Sequence, residues 1–173
     1  VEVEGYAIVF DKIPVVRKPE GVPLDLMLFI FNESGTLYRV SREIEGRKSF
    51  LVLGNNIMTN LMFGYVIRKK AGSDAEIICL FDKKTDLVIV GKSIDKLLSE
   101  VFDEVHYVNI LRPMECLEKL NIESRFDMTV NCADIPGAET INILATKSGG
   151  TVIFANFINN YNIALYITES ISK

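Results

Sequence analysis

The chain has 173 residues, of which 49% are apolar and 24% are charged, and its net charge is −4 at pH 7. This length predicts one domain that can bury a full core, and the negative charge argues against a nucleic-acid surface, which needs clustered Lys and Arg. The longest unbroken apolar run, residues 26–31, is far shorter than the roughly 18 residues of a membrane-spanning segment. We therefore expect a globular domain with no nucleic acid and no membrane among its partners.

The cysteines and the single histidine do not form a metal-binding pattern. Cys79, Cys116 and Cys132 stand far apart without a C-x-x-C spacing, and His106 has no second histidine to join it. A tetrahedral zinc site takes about four nitrogen or sulfur ligands at recognisable spacing, so we predict no metal site. Cys79 and Cys132 lie in apolar runs typical of small buried residues. Unpaired thiols suit a reducing compartment and, since no signal peptide is visible, they predict a cytoplasmic protein.

Residues 1–46 are predicted to form a connector in front of the main sheet. A short strand at 5–10 is followed by a proline-bearing stretch, and Pro23 is expected in the first turn of a helix that runs to about residue 31. A second helix is expected at 35–44, where apolar residues recur at helical spacing, and Gly46 would close it.

From Ser49 onwards, strands and helices are expected to alternate. The unbroken apolar run at 50–53 is typical of a parallel strand that is buried on both faces. Arg68, Lys69 and Lys70 would form the solvated end of a helix. Strands are predicted at 50–53, 77–81, 105–110, 126–132 and 151–154, helices at 61–70, 94–102, 113–120, 140–146 and 162–170, and a turn at Gly149 and Gly150; residues 83–91 fit either a strand or a crossover helix.

This alternation predicts an α/β fold, a Rossmann-like doubly wound parallel sheet of about five to six strands in a three-layer αβα arrangement. The domain would span residues 1–173. Ligands of such folds bind at the carboxyl ends of the strands, where the strand order reverses. Residues 54–59, Asp82, 132–136 and 155–157 would then border one crevice.

Several stretches resemble the nucleotide-binding half of the medium-chain, zinc alcohol dehydrogenase-like oxidoreductases. They are GYAIVF at 5–10, FLVLG at 50–54, FDMTVNCADIPGAET at 126–140 and SGGTVIFANF at 148–157. Within that superfamily, the chain is most similar to a dehydrogenase of amino-acid fermentation. The resemblance implies an NAD(P)-binding domain of an oxidoreductase. The family's separate catalytic domain, which holds the substrate and any zinc, is not represented in these residues.

The turn after the strand at 50–53 departs from the family's three-glycine pattern. Gly54 is kept, but Ile57 and Asn60 stand at the later two positions. Glycines there permit a tight turn and let backbone N–H groups approach a pyrophosphate. Ile57 would project toward the phosphate path, whereas Asn60 could adopt a left-handed conformation or cap the helix, and Gly64 could restore close helix–sheet packing. The turn therefore fits either a working nucleotide site or a degenerate, structural one.

Asp82 ends the second of these strands, where an acidic residue accepts hydrogen bonds from the adenine ribose of NAD and repels the 2′-phosphate of NADP. It fits equally well as a residue that caps the following element. Lys83 and Lys84 would tolerate NADP, so NAD is the expected cofactor and NADP the alternative.

By resemblance, Asp134 and Asn156 border the nicotinamide end of the crevice, although Asp and Asn are also common turn residues. The catalytic residues stay open. The candidate cofactor-binding residues are Gly54, Asn55, Asn56, Ile57, Thr59, Asp82, Cys132, Asp134 and Asn156.

Two functions remain open at this point. Gly54 and Asp82 favour a cofactor-binding domain whose partner is a missing catalytic domain or subunit. Ile57 and Asn60 favour a non-catalytic Rossmann module that serves assembly or ligand sensing. A receiver-like regulator is disfavoured because the strand at 50–53 ends without an acidic residue. An exposed edge strand would also allow a homodimer.

Overall fold

The computed structural model describes residues 17, 19–31, 33–84 and 94–156, without the side chains of 29–34. Its elements are α1 (Leu24–Phe31), α2 (Glu33–Glu43), β1 (Ser49–Gly54), α3 (Ile57–Ala71), β2 (Glu76–Asp82), α4 (Ile94–Val101), β3 (Glu104–Val108), α5 (Pro113–Leu120), β4 (Phe126–Cys132), α6 (Glu139–Ala145) and β5 (Thr146–Phe154). The strand expected at 5–10, the helix expected at 162–170 and the ambiguous stretch from residue 85 lie outside the described residues. Among the described residues, no helix is long and apolar enough to cross a membrane.

The five strands form one parallel sheet in the order β3-β2-β1-β4-β5. β1 lies at the centre, and the side chains of Phe50, Leu51, Val52 and Leu53 are fully buried, because helices cover both faces of the sheet. The chain runs from β1 to β2 on one side and returns to β4 on the other, so the strand order reverses beside β1. The prediction of a Rossmann-like, doubly wound sheet is confirmed.

Two apolar layers lie on the two faces of the sheet. One contains Val40 of α2, Ile67 of α3 and Leu98 of α4. The other contains Leu117 of α5 and Ile141 of α6. The arrangement is therefore the predicted αβα sandwich, and α2, which packs against α3, adds to its core although the sequence placed it in a connector.

Helix α3 begins at Ile57 and not near residue 61, where the sequence placed its start. Asn56 is the cap, because its side-chain oxygen accepts a hydrogen bond from the backbone N–H of Thr59 at 3.1 Å. Asparagines stand at positions 55, 56 and 60, and each has the side chain that a helix cap requires. The sequence alone therefore left the start of this helix open.

The glycines at 149 and 150 lie inside β5 and do not form the predicted turn. The pairing of β5 with β4 jumps from Phe126↔Thr146 to Met128↔Thr151, so β5 carries a bulge between these pairs. Gly149 has a positive φ of 73°, which favours glycine. A turn and a bulge require the same residue type, and only the pairing with β4 distinguishes them.

Arg68 is not a solvated residue of the helix end, as the sequence suggested. Its Nε donates to the carbonyl of Val101 at 3.1 Å, and its Nη1 donates to the carbonyl of Ala75 at 2.7 Å. Its Nη2 pairs at 2.7 Å with the Asp103 carboxylate. That carboxylate also accepts a hydrogen bond from the backbone N–H of Ile77. Arg68 thus ties the end of α3 to the beginnings of β2 and β3.

Candidate cofactor site

The turn at residues 54–59 leaves the first turn of α3 facing the carboxyl edge of the sheet. The side chain of Asn56 already satisfies one of its backbone donors, the N–H of Thr59. The N–H groups of Ile57 and Met58 are the first two of the helix and have no intrahelical acceptor. These two donors, with the positive end of the helix dipole, are suited to an anionic group.

The side chain of Ile57 does not project toward the phosphate path, contrary to the expectation from the sequence. It is only 5% exposed and belongs to the same apolar layer as Phe63 and Ile67. Because the helix begins at residue 57, this side chain turns into the core and Met58 takes the exposed position. Ile57 can therefore contact a cofactor only through its backbone N–H.

Asn60 neither caps the helix nor adopts a left-handed conformation, because it lies within α3 and is fully buried. Its Nδ2 donates to Cys79 Sγ at 3.2 Å, and its Oδ1 accepts from Cys132 Sγ at 3.1 Å. A β-carbon on Gly54 would lie 1.8 Å from Asn60 Oδ1. Glycine is thus needed at position 54 because the asparagine side chain fills the space above it.

Gly64 brings α3 close to the end of α4, and not to the sheet as predicted. A β-carbon at this position would lie 2.4 Å from the ring of Phe102 and 2.6 Å from the side chain of Val101. The glycine therefore permits close contact with the end of α4 and the residue after it, and not with the sheet.

The first cavity, of about 240 Å³, lies beside this turn at the carboxyl ends of β1, β4 and β5. It brings together most of the residues that the sequence marked as candidates. Those in its wall are Asn55, Asn56, Thr59, Cys132, Asp134 and Asn156. Thr36, Phe63 and Phe154 also line it and were not foreseen. Thr36 comes from α2, and its place depends on how α2 packs against α3.

Two hydrogen bonds join the loops around the first cavity. The backbone N–H of Asp134 donates to Asn55 Oδ1 at 3.2 Å, which links the turn after β1 to the loop after β4. Asn156 Nδ2 donates to the carbonyl of Ala133 at 3.0 Å, which links the end of β5 to the same loop. The wall of this cavity thus combines side-chain amides and hydroxyls with the Asp134 carboxylate and two phenylalanine rings.

Asp82 lies in a second cavity, of about 550 Å³, and not with the other candidates. Asp82 is 7% exposed, and its Oδ2 accepts the backbone N–H of Lys84 at 3.2 Å. The cavity is lined by Asp82, Lys83, Lys84, Asn109, Leu111, Arg112 and Ile135. Asp82 therefore caps the turn after β2 and also forms part of a cavity wall, so both interpretations of this residue have a structural basis.

The thiols near the first cavity are neutral at ordinary pH. Burial raises the pKa of Cys79 to about 12 and holds the pKa of Cys132 well above its usual range. Neutral thiols are poor nucleophiles and poor metal ligands. In the part of the chain that the structure describes, no cluster of three or more His, Cys, Asp or Glu side chains could hold a metal ion. His106 pairs with Glu104 at 2.8 Å and is not among the described residues that line either cavity.

The turn and the two cavities lie at one edge of the sheet. The second cavity contains the Asp82 carboxylate and three cationic side chains, and the helix start offers the N–H groups of Ile57 and Met58. The first cavity contains amides and hydroxyls together with the Asp134 carboxylate. All three lie at the carboxyl edge of the sheet beside the reversal of strand order, which is where such folds bind ligands.

No protein-family model matches the chain. Over its whole length, the chain is 26% identical to L-erythro-3,5-diaminohexanoate dehydrogenase of Acetoanaerobium sticklandii. It is 21% identical to the protein of the same name from Fusobacterium nucleatum, also over its whole length. It covers 49% of each, so the chain spans about half the length of the curated relatives it matches.

Three solved structures share the fold at low sequence identity. Alcohol dehydrogenase TADH from Thermus sp. ATN1 has a TM-score of 0.55 and 13% identity, over 87% of this chain and 43% of that one. AibC has a TM-score of 0.52 and 17% identity, over 88% of this chain and 45% of the AibC chain. A zinc-binding dehydrogenase from Sinorhizobium meliloti 1021, bound to NADP, has a TM-score of 0.50 and 15% identity, over 79% and 40%. The chain is therefore a Rossmann-like domain, similar in sequence to about half of L-erythro-3,5-diaminohexanoate dehydrogenase and in fold to alcohol and zinc-binding dehydrogenases.

Proposed function

We propose that the chain is the NAD(P)-binding part of an oxidoreductase that resembles L-erythro-3,5-diaminohexanoate dehydrogenase. The observation that carries the proposal is the pair of cavities on either side of residues 54–59, beside the reversal of strand order. The sequence likeness to two dehydrogenases over the whole chain supports it. A bound nicotinamide dinucleotide supplies the hydride chemistry, and the protein binds and orients it.

Each part of the dinucleotide has a proposed set of partners. The backbone N–H groups of Ile57 and Met58 hold the pyrophosphate, and Gly54 keeps the turn tight beneath it. Asp82 accepts hydrogen bonds from the adenine ribose. The first cavity takes the nicotinamide half, for which its amides and the hydroxyls of Thr36 and Thr59 offer hydrogen-bonding partners.

We further propose NAD as the preferred cofactor. Asp82 is held at the strand end by its bond to the N–H of Lys84, and its carboxylate would repel a 2′-phosphate. Lys83, Lys84 and Arg112 in the same cavity would attract that phosphate. All three cations are exposed, so their attraction is screened by solvent more strongly than the repulsion from the buried carboxylate.

Calorimetric titration of the 173-residue chain with NADH and with NADPH tests these proposals. We expect saturable binding of NADH, weakened about tenfold by Asp82→Ala because hydrogen bonds from the ribose to a charged group are lost. Asp74→Ala removes a carboxylate from the exposed loop before β2, at the opposite edge of the sheet, and should leave the affinity unchanged. Tighter binding of NADPH than of NADH would reject the proposed preference.

A second candidate function is a non-catalytic Rossmann module that serves assembly or ligand sensing. The observation that favours it is the capped helix start, since the Asn56 side chain takes a donor that a pyrophosphate would otherwise receive. A folded chain that binds neither NADH nor NADPH at about millimolar concentration would support this module and refute the cofactor role.

The partner that we propose is the other half of a longer dehydrogenase, or a separate catalytic subunit, packed against α1. Leu24 and Leu28 lie one turn apart on the same face of this helix and are 61% and 63% exposed, and an exposed apolar face is typical of a contact surface. Substrate binding and the catalytic residues would belong to that partner. β3 and β5 are the edges of the described sheet, so a homodimer through an edge strand is the alternative, and analytical ultracentrifugation of the chain distinguishes the two.

The same proposal includes a place in amino-acid degradation and in the cytoplasm. Its basis is the likeness to two L-erythro-3,5-diaminohexanoate dehydrogenases and the three free, buried cysteines, which suit a reducing compartment.

A further inference from the structure

We propose that Asn60 is a positioning residue, whose amide holds the turn at 54–59 in place through Cys79 and Cys132 and thereby sets the affinity for the dinucleotide. This inference rests on the proposed NAD(P)-binding function and deepens it. It assigns to a buried side chain the task that a glycine performs in the family pattern, which is to fix how the helix approaches the sheet.

The position of Asn60 joins three adjacent strands. Cys79 lies on β2 and Cys132 on β4, the two neighbours of β1. The Asn60 amide contacts both thiols. Its Nδ2 donates to Cys79 Sγ at 3.2 Å, and its Oδ1 accepts from Cys132 Sγ at 3.1 Å. Between them, the amide lies against Gly54 of β1, where a β-carbon would be 1.8 Å from Oδ1. One side chain of α3 thus fixes the helix start against all three strands.

The chemistry of the cluster is consistent with a fixed orientation of the amide. The carbonyl oxygen of Asn60 needs a donor, and the Cys132 thiol keeps its proton because burial raises its pKa. This thiol lies within hydrogen-bonding distance of Asn60 Oδ1, at 3.1 Å, and of the Leu53 carbonyl on β1, at 3.2 Å. The amide nitrogen needs an acceptor, and Cys79 Sγ provides one. A fully buried amide that lost these partners would pay its desolvation cost without compensation.

The orientation of Asn60 bears directly on the proposed site. Residues 57–60 form the first turn of α3, so a tilt of Asn60 relative to the strands also moves the N–H groups of Ile57 and Met58. Cys132, the partner on β4, lines the first cavity. The cluster is therefore placed to couple the helix start to the wall of that cavity.

Cys79→Ala tests the inference without touching either cavity, because Cys79 is fully buried and lines neither of them. The matched control is Cys116→Ala, which removes an equally small buried thiol from the apolar layer on the other face of the sheet. Two quantities are measured on the 173-residue chain: the hydrogen exchange of the backbone amides at 55–59, and the NADH dissociation constant.

For Cys79→Ala, we expect exchange at 55–59 to become roughly three- to tenfold faster and NADH binding to become weaker by a similar factor. Cys79→Ser restores an acceptor for the Asn60 amide and should recover both values, which a loss of packing alone would not allow. Asn60→Leu keeps the volume but removes both bonds, so its effect should be at least as large as that of Cys79→Ala. Cys116→Ala should change neither quantity.

Unchanged exchange at 55–59 in Cys79→Ala would overturn the inference, even if Asn60→Leu fails to fold. Equal changes in Cys79→Ala and Cys116→Ala would also overturn it, since they would reflect the loss of a buried thiol in general. Faster exchange in Cys79→Ala and recovery in Cys79→Ser, with no NADH binding by the unmodified chain, would retain the positioning role and reject the proposed function.

Discussion

At the amino end of the sheet, charged side chains join the strands, whereas the hydrogen bonds described around the candidate site at the carboxyl end join neutral amide, thiol and backbone groups. At the amino end, the Asp127 carboxylate at the start of β4 accepts the backbone N–H groups of Lys48 and Ser49 at 2.8 and 3.0 Å. It also pairs with Lys147 at the start of β5. One carboxylate thus connects the beginnings of three adjacent strands.

At the carboxyl end, neutral groups join the loops that form the candidate site. The Asn55 side chain accepts one N–H, that of Asp134, at 3.2 Å, and the Asn156 amide donates to the carbonyl of Ala133 at 3.0 Å. Hydrogen bonds to charged groups contribute about 1.5–3 kcal/mol, and neutral ones about 1 kcal/mol. Each of these neutral bonds is therefore expected to contribute less to stability than a bond to the Asp127 carboxylate.

This division suits a binding domain. Strands that are fixed at their beginnings hold their carboxyl ends in register, so the site rests on a rigid framework. Ligand-binding segments of proteins commonly have lower local stability than the framework that carries them.

The largest effect is expected from Arg68, which joins α3 to the beginnings of β2 and β3. Arg68→Ala should lower the free energy of unfolding by about 3 kcal/mol, because it leaves Asp103 and the carbonyls of Ala75 and Val101 without this donor. Urea denaturation measures the change. Lys69→Ala, at the exposed neighbouring position, should cost less than about 0.5 kcal/mol. Equal costs in the two variants would show that the amino end is not held as we describe.

A smaller and pH-dependent effect is expected from Asp127. Burial raises its pKa, but the hydrogen bonds from Lys147, Lys48 and Ser49 outweigh burial and lower the pKa below its ordinary value of 3.8. Asp127→Asn should therefore cost about 2 kcal/mol of unfolding free energy at pH 7.

The pKa of Asp127 is lower in the folded chain than in the unfolded chain, so its contribution is present in full above pH 3.8 and is lost as the pH falls below that value. The difference between the unmodified chain and Asp127→Asn, measured by denaturation from pH 7 down to pH 3, should shrink accordingly. Asp74→Asn, an exposed control, should show no such trend. A difference that stays constant over this range would contradict the assignment.

The smallest effect on stability is expected from Asn55→Ala at the carboxyl end. The variant removes the acceptor for the N–H of Asp134, and we expect a loss below about 1 kcal/mol because a neutral bond at a partly exposed position is lost. Hydrogen exchange of the Asp134 amide should become faster while exchange in β1 stays unchanged. A loss above about 2 kcal/mol would mean that the carboxyl end is held as firmly as the amino end.

Several elements were predictable because their signals are local. The apolar run at 50–53 indicated the buried central strand, and the bounds of β4 and α5 agree with the sequence-based prediction. Pro113 occupies the first position of α5, where the missing N–H of proline costs nothing. The polar residues after strand ends, such as Asn55 and Asp134, could also be placed at the crevice, since parallel strands end at the same edge.

Other features could not be predicted because they depend on contacts between distant residues. The direction of Ile57 follows from which of three asparagines caps α3, and the role of Gly149 follows from its pairing with β4. Thr36 reaches the first cavity only through the packing of α2 against α3. Local spacing does not reveal that Arg68 is bound, because its partner Asp103 lies 35 positions away.

The sequence by itself determined the alternation of strands and helices, and with it the α/β fold and the edge at which a ligand would bind, because hydrophobic periodicity and turn residues act over a few neighbouring positions. Only the tertiary structure decided that Asn60 contacts Cys79 and Cys132, and that Asp82 lies in a different cavity from Asn156. The physical reason is that a buried polar side chain must be hydrogen-bonded, and its partners come from whichever distant segments pack against it. Local spacing in the sequence does not determine those segments.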